Sequence, residues 1–278
     1  MILSHCQLAK KTAGTWNAIW LSSQCRRSAD ASMSSLKSQR KRRCSNACQV
    51  LRVTLKHKPV EASYTIHGQT LELVESAKYL GVTIDSKLNF NNHIDSVAKK
   101  ANGTRAFLNR NLRSCSLSIR DSTYKTYIRP MVKYASTVWD PHTRRNINKL
   151  EQVQCHSARY VTSNHDYTSS TSAMVRDLDW PTLQQRRHHS RLTMLYKTYN
   201  CLVDTNFTSQ LTLTQSSTRG HASRFLQPQC SCAAYSNSFL PRTIRDWNAL
   251  AMDPLLFQTV DAFKNYLVTD PSCHHFRF

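Results

Sequence analysis

The sequence predicts an α+β fold that is mostly helical, with a small antiparallel β-ribbon over about residues 49–85 followed by a helical bundle. Two patterns carry this reading. Apolar and polar residues alternate in the stretches between Gln49 and Asp85, the period of half-buried strands. After Asn89 the apolar residues recur every three or four positions, the period of helices. A third observation supplies bulk for a core: 40% of the chain is hydrophobic, and it holds five Trp and nine Phe. At 278 residues there is room for one large domain or two small ones.

In chain order, "QVLRVTLKH" from Gln49 reads as a strand, and "SYTIHGQTLELV" as two β-rich arms of a hairpin turning at His67-Gly68-Gln69. "AKYLGVTID" reads as a third strand with Gly81 inside it. A glycine within a strand marks a bulge or a close approach of another backbone, so a visitor is expected at Tyr79, Leu80 and Gly81. Three such strands are too few to stand alone and require a covering layer. The first helix carries Ile94, Val97, Ala101, Leu108 and Leu112 on its apolar side, with Lys99, Lys100, Arg105, Arg110 and Arg113 on other faces. A second helix runs from about Leu117 through Tyr124, Tyr127 and Ile128, and Pro130 kinks or splits it. "RRNINKLEQVQCHSARYVT" makes a third, with Ile147, Leu150, Val153, Ala158 and Val161 inward. A fourth starts at Pro181 as a favourable first-turn residue, and "LLFQTVDAFKNYLV" is the last.

These elements set the expected organisation. Residues 1–47 are a basic, Ser-rich segment expected to be disordered; 48–88 hold the β-ribbon; 89–140 and 141–204 are helical; 205–234 form a Ser/Thr-rich loop; 235–270 are a C-terminal block; and 271–278 are a tail.

Charge is the dominant compositional signal. Lys and Arg total 38 against 17 Asp and Glu, a net charge of +21. Such an excess points to a polyanion as partner, most often nucleic acid. "QRKRR" at 39–43 fits a nuclear-localisation or nucleic-acid patch, but so short a run in a basic chain weighs little beside a solvated surface. Ten scattered cysteines in a long chain read as reduced thiols, and "MILSHCQLAKK" has too short an apolar run for a secretory leader. No stretch nears the ~20 apolar residues of a membrane span. The expectation is an intracellular protein, nuclear or cytoplasmic, with no membrane partner and no small-molecule substrate.

Candidate chemistry is sparse. Cys44-x3-Cys48 and Cys230-x-Cys232 lack a second pair at zinc-ligand spacing, and the Cys-His-His of 273–275 stands alone, so no metal site is expected. Asp177-x-Asp179 is the nearest approach to paired carboxylates, which two-metal nucleotidyl transfer needs. Placed just before a helix, it reads more simply as an acidic pair at the positive dipole end. Five glycines leave little material for a phosphate loop. No catalytic residue and no cofactor is expected. "STYKTYIRPMVKYASTVWDPH" interleaves Tyr124, Tyr127, Tyr134 and Trp139 with Lys125, Arg129 and Lys133. Those rings either stack on bases beside phosphate-binding cations or pack in the core, and the helical spacing of Tyr124, Tyr127 and Ile128 favours the core.

The order of blocks from "CQVLRVTLKH" through "AKYLGVTIDSKLNFNNHI", "KANGTRAFLNRNLRSCS", "TYKTYIRPMVKYASTVWDPHTRRNINKLEQVQCHSARYV" and "MVRDLDWPTLQQRRHHSRLTMLYK" to "YSNSFLPRTIRDWNAL" resembles the end of the reverse transcriptase of jockey-like non-LTR retrotransposons. The likeness covers about residues 48–268. It implies that "KYLG" is the primer grip, with Tyr79, Leu80 and Gly81 against the primer end, and that the helices of 89–140 are thumb-like, with Lys99, Lys100, Arg105, Arg110 and Arg113 on phosphates. It implies RNA, DNA or an RNA–DNA hybrid as partner. "TAGTWN" (12–17) resembles the helix that precedes the first block in that family.

The family's polymerase centre carries an aromatic-Ala-Asp-Asp turn and uses magnesium; no Asp-Asp dipeptide occurs in this sequence. The reading is therefore a truncated reverse-transcriptase fragment that binds template–primer and does not polymerise. Two alternatives stand beside it: a domesticated helical interaction protein without enzymatic activity, and an unstable pseudogene product.

Overall fold

The computed structural model describes residues 9–12, 15–20, 49–54, 62–66, 68–166, 168–205, 208–214 and 220–270, with backbone alone for 9–12, 15–20 and Ile66. The basic run 39–43, Cys44, Cys48, His67 and the Cys-His-His of 273–275 lie outside the described residues. The chain forms two compact units, one up to His93 and one from Ile94 onward. Both parts together make the mostly helical α+β protein that the periodicities predict.

Among the described residues of the first unit the strands are β1 Ala9–Thr12, β2 Thr15–Trp20, β3 Gln49–Val53, β4 Thr65–Ile66, β5 Gln69–Thr70, β6 Glu72–Val74, β7 Ser76–Tyr79 and β8 Val82–Asp85. They form a four-stranded sheet of order β1-β2-β3-β6 and two hairpins, β4-β5 and β7-β8. The sheet is mixed: β3 runs antiparallel to β2, with Ala18 opposite Leu51, and parallel to β6, with Val50 opposite Leu73. Two of its strands thus fall in the segment expected to be disordered, and β2 replaces the helix that the family likeness implied for residues 12–17. The local reason is composition, since Thr15, Trp16, Ile19 and Trp20 are β-branched or aromatic and favour a pleated surface. The core of this unit gathers Val50, Leu51, Leu71, Ala77, Val82 and Ile84.

The hairpin at Gly68 is present as expected, with Gly68 at φ +78 between β4 and β5. "AKYLGVTID" departs from its expected form. It is a tight hairpin rather than one strand: Tyr79 pairs with Val82, so Leu80 and Gly81 are the two-residue loop. Both have positive φ, 46° and 84°, as a type I′ turn requires, and Gly81 serves that turn.

In the second unit the helices are α1 Asn91–Asn111, α2 Leu117–Thr123, α3 Arg129–Lys133, α4 Ser136–Trp139, α5 Arg144–Thr162, α6 Thr171–Asp177, α7 Leu183–Tyr199, α8 Ala233–Ser236, α9 Phe239–Asn248 and α10 Val260–Thr269. Between α2 and α3 the chain makes a π-helical turn, Tyr124–Ile128. Pro130 accounts for it, because proline lacks an N–H and its ring crowds the carbonyl four residues back, so the turn before it widens. On α5 the stripe Ile147, Leu150, Val153, Ala158 and Val161 is buried as its spacing predicts. The fourth helix starts two residues later than expected: Thr182 is its N-cap and accepts from the Gln185 N–H at 3.0 Å, leaving Pro181 outside the helix.

The C-terminal core is built from Leu192, Leu195 and Tyr196 of α7, Phe225 of the connecting segment, Leu240, Ile244 and Trp247 of α9, and Phe263 and Leu267 of α10. Tyr196 stacks on Phe263 at 4.7 Å, and the Trp247 indole donates to the Ser223 carbonyl at 2.9 Å. Among its described residues the stretch 205–234 holds a 3-10 turn, Thr208–Gln210, and the start of α8, and Phe225 anchors it in the core. No described helix is long and apolar enough to cross a membrane.

Candidate nucleic-acid interface

The residues expected to meet a primer sit together in the β7-β8 turn, where Leu80 is 69% exposed, Gly81 is exposed and Tyr79 is half-buried. The expected phosphate-binding cations belong to the other unit. On α1 the buried side is Ile94, Ala98, Ala101 and Leu108. Lys99 and Arg110 are exposed on the opposite face, eleven residues apart, or about 16 Å along the axis. Lys100 is exposed on the flank and Arg113 just beyond the helix end. Arg105 differs, because it lies towards the apolar side, its Nε is buried without a hydrogen-bond partner, and burial pushes its pKa down. Lys99 and Arg110 share a face and Arg105 does not join them.

The aromatic and basic stretch divides in the same way. Tyr124 and Trp139 are core: Tyr124 stacks on Trp180 at 3.8 Å, and the Trp139 indole donates to the Tyr134 carbonyl at 2.9 Å. Tyr127 and Tyr134 are each 57% exposed. Trp180 is fixed further by its indole N–H, 3.0 Å from Asp121, and Asp121 also holds Lys125 at 2.7 Å.

Beside that stacked pair lies a cleft of about 210 Å³ lined by Lys125, Arg129, Gln154, Asp179, Pro181 and Arg186 together with the two rings. Burial and the neighbouring Arg129 push the Arg186 guanidinium down from its ordinary range. Burial first, and then the charges of Arg186, Arg129 and Lys264, do the same to Lys133. Arg186 escaped sequence reasoning; the signal was the Arg186-Arg187 pair on a helix whose inward stripe takes only the second.

That second arginine belongs to a buried ion cluster. Asp140 accepts from Arg187 Nε at 2.8 Å and also pairs with Arg191 and, at 3.3 Å, with Arg242. Arg191 reaches Asp246 at 2.5 Å, and Arg187 lies 3.6 Å from Glu151. Burial draws both Arg187 and Arg191 down to about 10. Glu151 also receives the N–H groups of Leu183 and Gln184, at 3.1 and 2.7 Å, and so caps α7 from another helix. Burial raises its pKa against the pull of Arg187 and those two donors. Three arginines face three carboxylates here, and the cluster joins "WDPH", "QQRRHHSRL" and "RDWN", blocks of the family likeness that sequence places far apart.

The comparisons agree with that likeness. Over 176 residues, 61% of this chain, it is 25% identical to the probable RNA-directed DNA polymerase from transposon BS of Drosophila melanogaster, and the match covers 19% of that protein. The corresponding values are 28% over 126 residues for the probable polymerase of transposon X-element and 27% over 124 residues for that of mobile element jockey, both from the same organism. These matches take in 14% and 13% of the relatives' lengths, and 42% and 43% of this chain. The chain is homologous to part of retrotransposon RNA-directed DNA polymerases. It also matches an uncharacterised Caenorhabditis elegans protein, 28% identical over 123 residues, which are 44% of this chain and 60% of that one. No family model matches, and no solved structure does.

Among the described residues no three His, Cys, Asp or Glu side chains gather where a metal could be held. Asp177 ends α6 and Asp179 stands in a left-handed turn at φ +50, both exposed.

Proposed function

We infer that this chain is a reverse-transcriptase-related fragment that binds template–primer nucleic acid through phosphates and does not itself synthesise DNA. The observation that carries the reading is the exposed cationic face of α1, Lys99 and Arg110, in a chain of net charge +21 whose relatives are named RNA-directed DNA polymerases. Cations on a helix opposite its buried stripe are free to meet phosphates, and such contacts are indifferent to base sequence. In this reading α1 and the helices up to Trp139 are the thumb-like part. The β7-β8 turn is the primer-facing part, presenting Leu80 at its tip. Absence of an Asp-Asp pair supports the lack of polymerisation.

Fluorescence anisotropy with a labelled RNA–DNA hybrid tests the binding. Affinity should fall steeply with salt, with log K against log salt declining by about 0.9 for each phosphate neutralised. No binding at low salt would defeat the reading and favour an interaction protein. Primer extension with magnesium tests the second half: synthesis by this chain would show that it retains an active centre.

A further inference from the structure

We propose that the cleft beside the Tyr124–Trp180 pair is a phosphate pocket in which Arg129 and Arg186 grip one backbone phosphate of the bound nucleic acid. The proposal rests on the nucleic-acid reading above and adds a second contact surface to it, remote in sequence from α1.

Unsatisfied positive charge is the first ground. Among the described residues Arg129 and Arg186 form no ion pair, whereas Lys125 is held by Asp121 at 2.7 Å and Lys264 by Asp261 at 2.9 Å. The Nε of Arg186 is buried and has no hydrogen-bond partner, although a buried donor ordinarily finds one. Asp179 is the one carboxylate in the lining, and it is exposed. Arg129, Lys133 and Arg186 therefore repel one another with little to offset them, which burial and mutual charge register as lowered pKa values for Lys133 and Arg186. An anion between the guanidinium groups would relieve that repulsion and satisfy the orphaned donor. Guanidinium is the group suited to it, since its planar fork matches phosphate oxygens.

Construction is the second ground. The π-helical turn forced by Pro130 leaves Tyr124, Lys125 and Arg129 all on the cleft wall, and the Thr182 cap starts α7 so that Arg186 closes the other side. The aromatic floor is spoken for. Tyr124 and Trp180 are 2% and 6% exposed and stack on each other, so no base can insert between them. The pocket consequently reads phosphate and not sequence.

The test follows the Nε–H resonance of Arg186 in the full chain by NMR, assigned through its loss in R186Q, while inorganic phosphate is added. Binding of a labelled hybrid is compared in parallel for wild type, R129Q/R186Q and the exposed control R144Q. The pocket predicts a saturable phosphate-dependent shift of the Arg186 signal, together with a salt slope smaller by about 0.9 in R129Q/R186Q and unchanged in R144Q. A shift with free phosphate but an unchanged hybrid slope would assign the pocket to free phosphate and overturn the backbone contact. No shift and no change in slope would overturn the pocket while leaving α1 as the binding face. Absence of all hybrid binding in wild type would instead strike the nucleic-acid reading, and the phosphate titration would still decide the pocket. Should R129Q/R186Q fail to fold, the wild-type titration and the hybrid slope of the single variant R129Q decide between the same outcomes.

Discussion

Arg187 and Asp140 meet as a 2.8 Å ion pair with side chains only 2% and 6% exposed, joining α7 to the residue after α4. Asp140 is the anion at which Arg187, Arg191 and Arg242 converge. Replacing it with Asn keeps the shape and removes the charge, leaving three guanidinium groups facing only Glu151 and Asp246. D140N should cost about 3–5 kcal/mol, the penalty for orphaning a buried charge. Urea unfolding of the full chain measures it; a loss below about 1 kcal/mol would mean that water, and not Asp140, satisfies those arginines.

Asn248 makes a second testable link. Its side chain accepts from the Phe225 N–H at 2.9 Å and donates to the Phe225 carbonyl at 2.8 Å, closing the connecting segment onto α9. N248A leaves both backbone groups without partners and should cost about 1–3 kcal/mol. Limited proteolysis should then cut faster between residues 205 and 234, with cleavage elsewhere unchanged.

Those two links show what sequence could and could not disclose. The stripe on α5 was legible because five apolar residues repeat at one helical period over a long element. Helix α9 was not: it is ten residues long, and Pro241 stands inside it. Proline is tolerated there because the first-turn N–H groups have no intrahelical partner. The ion cluster is a tertiary fact, with Asp140 lying 47 residues before Arg187, and periodicity says nothing of such pairs. On the candidate interface, spacing put Lys99 and Arg110 outward correctly and could not tell that Arg105 turns inward.

Acid should weaken the protein. His93 is buried and accepts the Thr83 N–H on its Nδ1 at 3.3 Å, a bond that requires an unprotonated ring nitrogen. Burial, and then the Lys78 charge, lower its pKa. In the other unit burial also lowers His142, His156 and His188, with Asp246 partly offsetting the effect on His188. In each case the unfolded chain takes up a proton first. Stability contributed by the neutral rings is therefore whole above about pH 6.5 and is lost as pH falls towards the folded values. Denaturant midpoints at pH 7.5 and 5.5 should show the drop, smaller in H93Q than in wild type. A midpoint that rises on acidification would contradict the sign.

The β7-β8 hairpin turns at Leu80 and Gly81. Leu80 holds φ +46, a region that costs an ordinary L-residue about 1–2 kcal/mol, while Gly81 holds φ +84 at no such cost. Asn tolerates the left-handed region and is favoured with Gly in type I′ turns. L80N should therefore stabilise the chain by about 1 kcal/mol, although it removes a large apolar side chain, because that side chain is 69% exposed and buries little. G81A should destabilise by a similar amount. Both shifts should appear in thermal unfolding without any nucleic acid, since the glycine serves the chain's own turn. If G81A left stability unchanged and weakened only hybrid binding, the glycine would instead be there for the close approach of a primer backbone.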